Sequence, residues 1–324
     1  MKAAVIYQNG QPIQVVEMPE PGVDNEDGVL VSVKAVAIKH FDRGRASGNH
    51  YSSGTADAGP GKVIGGDGVC LLEDGTRVYG MGITGMLAEK AVIEKDRIVL
   101  LPPGLDDVVA AALPNAVIGS AMGLRFKAKI QPGDVVLING ATGFTGRVAV
   151  QIAKHYGAGK VIATGRNEQS LQELLALGAD DIISLKQSDE AILQQLKTLH
   201  AMQPIDIVID YLWGHSAEII LQSLKGNGSF THKTRFVSIG GVTGDIIQLS
   251  AANLRSVDIE LSGSGLGSWS KEQVGKLFRE ILPEMFQLAA NNKLKVDTVT
   301  ADLKDIASLW ALDVTDGKRV VVTI

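Results

Sequence analysis

The chain has 324 residues, 45% of them apolar and 21% charged, with 31 lysines and arginines against 36 aspartates and glutamates and a net charge of −5. These proportions are those of a globular protein, and they exclude a disordered or collagen-like chain and a strongly basic binder of nucleic acid or anionic lipid. Length alone predicts two domains. Glycine is in excess, at 37 residues, and the single cysteine, Cys70, excludes an intrachain disulfide and any multi-thiolate metal site.

The apolar start Ala3–Tyr7 ends at Gln8, too short for the core of a signal peptide. No window approaches the ~18 uninterrupted apolar residues that cross a bilayer. A reducing, cytoplasmic setting is the expectation.

Residues 1–100 read as a small, irregular β domain. Ala3–Tyr7, Gly28–Ala37 and Ala91–Leu101 are rich in β-branched residues, and turn clusters such as Asp24-Asn25-Glu26-Asp27-Gly28 separate them. From about Gly133 the pattern becomes an alternation of strands and helices. Val135–Asn139 is an apolar run suited to a buried parallel strand, and Val148, Ala149, Ile152, Ala153 and Tyr156 follow at helical spacing. Strands are expected at Lys160–Thr164, Asp181–Leu185, Asp206–Leu212, Arg235–Gly240 and Asp258–Ser262, with helical stripes between them. Such alternation predicts an α/β fold with a doubly wound parallel sheet. In the tail, Val274, Leu277, Phe278, Ile281, Leu282 and Met285 trace an amphipathic helix. A strand near Val296–Thr300, a helix near Ile306–Leu312 and a closing strand Arg319–Ile324 follow, and the last pieces suit a return to the first domain.

The segment Asn139-Gly140-Ala141-Thr142-Gly143-Phe144-Thr145-Gly146 lies between the first parallel strand and its helix. Its glycines suit a dinucleotide turn: Gly140 for the tight bend, Gly143 for approach to a pyrophosphate, and Gly146 for close helix–strand packing. The helix N-terminus then offers its amides to phosphate. An NAD site places an acid about 20 residues on for the ribose 2′-hydroxyl. Here the second strand ends in Gly165-Arg166-Asn167, with no acid before Glu168. A guanidinium there suits a 2′-phosphate, so NADP(H) is the expected cofactor, and the competing reading of Arg166 is an ordinary surface cation.

Met1-Lys2-Ala3, Gly85-Met86-Leu87-Ala88-Glu89-Lys90, Leu101-Pro102-Pro103-Gly104, Ala110-Ala111-Ala112-Leu113-Pro114, Lys129-Ile130-Gln131-Pro132-Gly133-Asp134, the glycine turn and Gly317-Lys318-Arg319-Val320-Val321 run through nearly the whole chain. In this order they resemble the medium-chain dehydrogenase/reductase superfamily, in its zinc-free quinone oxidoreductase branch. The resemblance implies a GroES-like catalytic domain built from residues 1–118 and 262–324 around an NADP-binding Rossmann domain, residues 119–261. It also implies a homodimer, with edge strands near Asp258–Ser262 pairing between subunits. Lys39 and Gly66 stand where zinc-dependent members carry Cys and His ligands, so no metal is expected. Cys70 reads as buried filler. The chain departs from the branch at Ile118-Gly119-Ser120, where a Thr is usual, and in a shortened lobe after Gly68.

By family position Tyr211, Leu212 and Trp213 border the cofactor, as do the strand-ending loops Ile239-Gly240-Gly241 and Gly263-Ser264-Gly265; core packing is the competing role for Trp213. The implied reaction is hydride transfer from NADPH to a quinone or an α,β-unsaturated carbonyl. Lys39 is the candidate electrophile for the developing oxyanion, against the alternative of a solvated loop lysine. Asp42 and Asn115 are candidates to orient substrate or close the loop. Alternatives are an aldehyde or ketone reductase and a non-enzymatic NADPH-binding protein. A short-chain dehydrogenase reading fails because Tyr156 and Lys160 lie beside the glycine turn instead of far downstream. Gly214-His215-Ser216-Ala217-Glu218 is an incomplete nucleophile elbow, and Ser216 is better placed near the N-cap of the following helix.

Overall fold

The computed structural model describes residues 1–23, 26–48, 53, 61–310, 314 and 316–324. Asp24 and Asn25 of the expected turn, and the end of the helix expected to run to Leu312, lie outside the described residues. The chain forms two compact units, one of Met1–Asn115 with Phe278–Ile324 and one of Ala116–Leu277.

The first unit begins with strands β1 (Lys2–Ile6), β2 (Gln14–Glu17) and β3 (Gly28–Ala37), helix α1 (His40–Ser47), and strands β4 (Lys62–Val63), β5 (Asp67–Leu71), β6 (Arg77–Met81), β7 (Lys90–Glu94) and β8 (Val99–Leu100). The run expected as one strand over 91–101 is two, β7 and β8, because a short 3-10 turn at Lys95–Arg97 separates them. Helix α2 (Asp107–Val117) contains Pro114 and continues as π-helix over Ile118–Lys127. The sequence signals do not mark this long helix. Composition alone would let residues 107–127 span a membrane, but most of the segment is buried inside the protein.

The second unit holds β9 (Val135–Asn139), α3 (Phe144–His155), β10 (Lys160–Gly165), α4 (Glu168–Ala176), β11 (Asp181–Ser184), α5 (Asp189–Met202), β12 (Ile207–Asp210), α6 (Gly214–Ser223), β13 (Thr234–Ser238), α7 (Ala251–Ser256) and β14 (Ile259–Gly263). These strands pair in parallel in the order β11-β10-β9-β12-β13-β14. That is the doubly wound Rossmann order, reversing direction at β9. Right-handed crossovers therefore put α3 and α4 on one face and α5 and α6 on the other. The central strands are apolar and buried, with Val135–Ile138, Val161–Ala163 and Ile207–Ile209 at the middle of the sheet.

Helix α8 (Lys271–Lys276) passes through a π-turn at Leu277–Ile281 into α9 (Leu282–Ala290), and the chain re-enters the first unit at Phe278. This crossing comes later than residue 262. Strand β14 is a paired member of the Rossmann sheet, and the Lys127 ammonium, over the Trp269 ring and donating to the Ser268 carbonyl at 2.9 Å, holds the following loop to the second unit. Strand β15 (Asp297–Asp302), helix α10 (Ile306–Trp310) and strand β16 (Lys318–Thr323) complete the chain. β16 pairs with β3, so the C-terminus closes the sheet begun near the N-terminus.

Candidate functional site

Because β9 to β14 are parallel, their C-terminal ends share one edge of the sheet, and the cofactor-binding candidates fall on it. Gly140–Thr145 follows β9, Gly165 to Asn167 follows β10, Tyr211 to Trp213 follows β12, Ile239–Gly241 follows β13, and Gly263–Ser264 ends β14. This is the edge of a doubly wound sheet where ligands bind.

The glycine turn is built to stay open and tight. Gly140 takes φ +86°, and a Cβ there would lie 2.8 Å from the Leu212 side chain. A Cβ at Gly146 would sit 2.5 Å from both the Gly140 carbonyl oxygen and Ala141 Cα, so only glycine lets α3 press onto the turn. At Gly143 the neighbouring space is clear: a Cβ would meet only the Gly140 oxygen, at 3.9 Å. Gly143 caps α3 with extended backbone and no side-chain cap hydrogen bond, and the helix N-terminus opens onto the turn. Arg166 is exposed and forms no ion pair among the described residues. Since Gly165 pairs with Ser184, Lys186 extends from the neighbouring strand end as a second exposed cation. These residues fit the phosphates of a dinucleotide.

Not every candidate side chain points to such a ligand. Asn167 caps α4, accepting from Ser170 N at 3.0 Å. The Tyr211 ring is buried beside Gly119, and burial pushes its phenol pKa far above the usual range. The Trp213 indole packs edge-on against Phe236, 6.2 Å between centroids, which is the core-packing role. Leu212, between them, is the side chain that covers Gly140. Ser216 sits in the first turn of α6, near the N-cap Trp213, whose carbonyl its hydroxyl reaches at 3.3 Å.

The C-terminal ends of β10, β9 and β12 carry the buried polar residues Thr164, Asn139 and Asp210, Thr164 one residue before the end of its strand. The Thr164 hydroxyl donates to Asn139 Oδ1 at 2.7 Å, and Asn139 Nδ2 donates to Asp210 Oδ1 at 2.8 Å and to Ser216 Oγ at 2.9 Å. Burial raises the Asp210 pKa, against the stabilising hydrogen bonds from Asn139, Trp213 and Leu212.

In the first unit the structure brings Lys39 and Asp42 together and adds residues that sequence reading does not select. The Lys39 ammonium is 1% exposed and is held by Asp67 and, at 3.4 Å, by Asp42. Asp42 also accepts the Lys39 backbone N–H at 3.0 Å, and the Tyr79 hydroxyl donates to Asp67 Oδ2 at 2.9 Å. Burial alone would drive Lys39 toward its neutral form, but the charges of Asp42 and Asp67 outweigh it and raise its pKa. Burial raises Asp42, against the pull of Lys39, and raises Tyr79 well above the ordinary phenol range. Arg319, from β16, is pushed down to about 10 by burial, opposed by the same two carboxylates. Lys39 is thus neither solvated nor presented as a free electrophile: its protons are engaged inside the unit. Asn115 is half-buried at the end of the unit and forms no hydrogen bond to this group. A signal for the cluster lies in the sequence, since Asp67 directly follows Gly66.

The sheet order and glycine turn define a Rossmann-type dinucleotide-fold protein with a second, largely β unit. Residues 145–286 match the family described as "Zinc-binding dehydrogenase". The "Probable NADPH-dependent quinone reductase" of Emericella nidulans is 28% identical over 99% of each chain. The quinone oxidoreductase of Sus scrofa is 27% identical over 79% of this chain and 76% of its own. Among solved structures, the quinone oxidoreductase of Thermus thermophilus, determined also as its NADPH complex, superposes with TM-score 0.77 at 26% identity over all of both chains. That of Pseudomonas syringae superposes with TM-score 0.79 at 23% identity over 99% of each. These likenesses support the medium-chain dehydrogenase/reductase superfamily and, within it, the quinone oxidoreductase branch.

Proposed function

We propose that the protein is an NADP(H)-dependent oxidoreductase that reduces a quinone or an α,β-unsaturated carbonyl without zinc. Its strongest single support is the edge formed by the Gly140–Gly146 turn and Arg166. The turn leaves space for a pyrophosphate beside a helix N-terminus with no side-chain cap, and Arg166 follows the strand end where an NAD site carries an acid. When bound, the nicotinamide supplies the hydride; the chain's residues hold its phosphates, orient it and exclude water. NADPH features in the name of one relative and in the determination of one structural neighbour.

Zinc independence is supported by the Lys39 ammonium, a cation supplied by the chain itself between Asp42 and Asp67. Lys39 and Asp42 then act by shaping the first unit, and Asn115, whose side chain makes no hydrogen bond among the described residues, is left as the candidate substrate contact. A homodimer fits the same reading. The outer edge of β14 pairs with no strand among the described residues and exposes Leu261.

The test is a panel of quinone, enone and aldehyde acceptors with NADPH and NADH as donors, with and without a chelator. Turnover with quinones or enones, favouring NADPH and indifferent to chelation, is expected. In Arg166→Asp the NADPH-to-NADH ratio of kcat/KM should fall at least tenfold, about the loss of one charge-assisted contact. An unchanged ratio would remove Arg166 from the site, and turnover confined to aldehydes would replace the substrate class.

A further inference from the structure

Three neighbouring strands of the Rossmann sheet carry, at their C-terminal ends, polar side chains that no water reaches: Thr164, Asn139 and Asp210. Their hydrogen bonds run in one direction. Thr164 donates to Asn139, and Asn139 donates to Asp210. The run ends on the one member with no proton to give.

Asp210 also accepts from the backbone N–H of Leu212 at 3.0 Å, and both its oxygens accept from that of Trp213 at 3.1 Å. Trp213 takes φ +58° and ψ −154°, a conformation close to one that glycine almost alone adopts. A strained non-glycine residue persists only where its surroundings hold it, and here the grip is the Asp210 carboxylate. The Ser216 hydroxyl, itself a recipient from Asn139, donates to the Trp213 carbonyl at 3.3 Å and steadies the same corner.

The corner sends the Trp213 indole toward Phe236 and leaves Leu212 directly over Gly140. From the other end of the relay, the Thr164 hydroxyl accepts the Gly140 N–H at 3.3 Å, and the Thr164 carbonyl accepts that of Ala141 at 2.8 Å. One carboxylate therefore reaches the glycine turn by two routes, through Asn139 and Thr164 below and through Leu212 above. An apolar set of strand ends would leave the backbone donors of Leu212, Trp213 and Gly140 without these acceptors. The polar set lies where the turn has to be held.

We propose that Asp210 is a positioning residue for the dinucleotide: it touches no ligand and fixes the Gly140 turn through Asn139–Thr164 and through the Leu212–Trp213 corner. This rests on the dinucleotide reading of that turn. An amide at 210 would have one acceptor oxygen for the backbone donors and would set its own N–H groups against the Asn139 amide. Exchanging both residues restores a donor facing an acceptor across β9 and β12.

The experiment uses the full chain and compares wild type, Asp210→Asn and the exchange Asn139→Asp/Asp210→Asn, reading NADPH Kd by nucleotide fluorescence and both kinetic constants with a quinone acceptor. In Asp210→Asn, Kd and the KM for NADPH should rise about tenfold, the effect of leaving one buried donor unsatisfied, while kcat at saturation changes less than about threefold. The exchange should recover most of that loss, which a merely destabilised fold would not do. Should Asp210→Asn fail to fold, Thr164→Val cuts the relay at its far end and should raise Kd in the same sense. Wild-type affinity in Asp210→Asn, or in Thr164→Val where that variant stands in, overturns the proposal and leaves the cofactor reading standing. A wild-type chain that binds neither NADPH nor NADH overturns both.

Discussion

Each unit buries a polar group, and the two are built differently. In the first unit Lys39, Arg319, Asp42 and Asp67 balance two positive charges against two negative ones, and the Tyr79 hydroxyl closes onto Asp67. Its members come from β5, β6, β16, α1 and the residue before α1; Lys39, Asp42, Asp67 and Tyr79 bond to one another, and Arg319 lies in the field of the two carboxylates. In the second unit a single carboxylate, Asp210, is satisfied by neutral donors, two of which are backbone amides of a loop. The contrast separates two uses of buried polarity. An ion cluster gathered from several strands ties them together, whereas a relay that ends on loop amides sets the shape of an edge.

The largest effect should come from breaking the ion cluster. Lys39→Met keeps most of the volume but leaves two buried carboxylates without their shared cation, at a cost of about 3–5 kcal/mol. Thr164→Val, which opens the neutral relay, should cost only about 1–3 kcal/mol. Denaturant unfolding of the two variants measures both. Equal losses would mean that charge is not what distinguishes the units.

A second pair of variants separates building the turn from using it. Gly146→Ala forces a methyl against backbone of Gly140 and Ala141, so α3 must lift. Overpacking of this kind costs about 1–3 kcal/mol. NADPH binding should fall with stability. Gly143→Ala has room for its methyl and an ordinary φ of −73°. Its melting temperature should match wild type while NADPH Kd rises, because the methyl occupies the space a pyrophosphate would take. A Gly143→Ala protein with unchanged affinity would move the phosphates away from the turn.

The Rossmann half is legible in the sequence because its signals are local and redundant. Val135–Asn139 has the same ends in sequence and structure, and the other five parallel strands lie within two residues of their expected bounds at either end, since buried parallel strands are continuous apolar runs. The cofactor edge follows from parallel topology alone. The long helix over 107–127 escapes sequence reading because Pro114, Gly119 and Gly123 are helix-breaking by local propensity, and here tertiary packing overrides them. The companions of Lys39 are hidden for a different reason. Asp67, Tyr79 and Arg319 are 28, 40 and 280 residues away in sequence, and only the pairing of β3 with β5 and β16, and of β5 with β6, gathers them. Resemblance locates position 39, but burial, which decides what an ammonium can do there, is a property of the assembled sheet.

The smallest expected effect tests the first unit by pH. Burial pushes the Cys70 thiol up to about 12 in the folded chain from an ordinary 9.0. Between those values the unfolded chain gives up the thiol proton and the folded chain keeps it. The stabilisation is therefore complete below pH 9 and is lost as pH rises toward 12, by at most about 1.4 kcal/mol per pH unit. Tyr79 and Tyr211, whose phenols burial also raises, act in the same sense as Cys70, and Arg319, pushed down to about 10, acts in the opposite sense. These groups are common to wild type and Cys70→Ala, so the difference between the two proteins isolates Cys70. From pH 9 to 10 the urea midpoint should fall more steeply in wild type than in Cys70→Ala, and a maleimide should label the thiol only once urea has unfolded the chain. Parallel slopes in the two proteins would show that Cys70 ionises in the folded state, and the sealed interior assigned to the first unit would then be wrong.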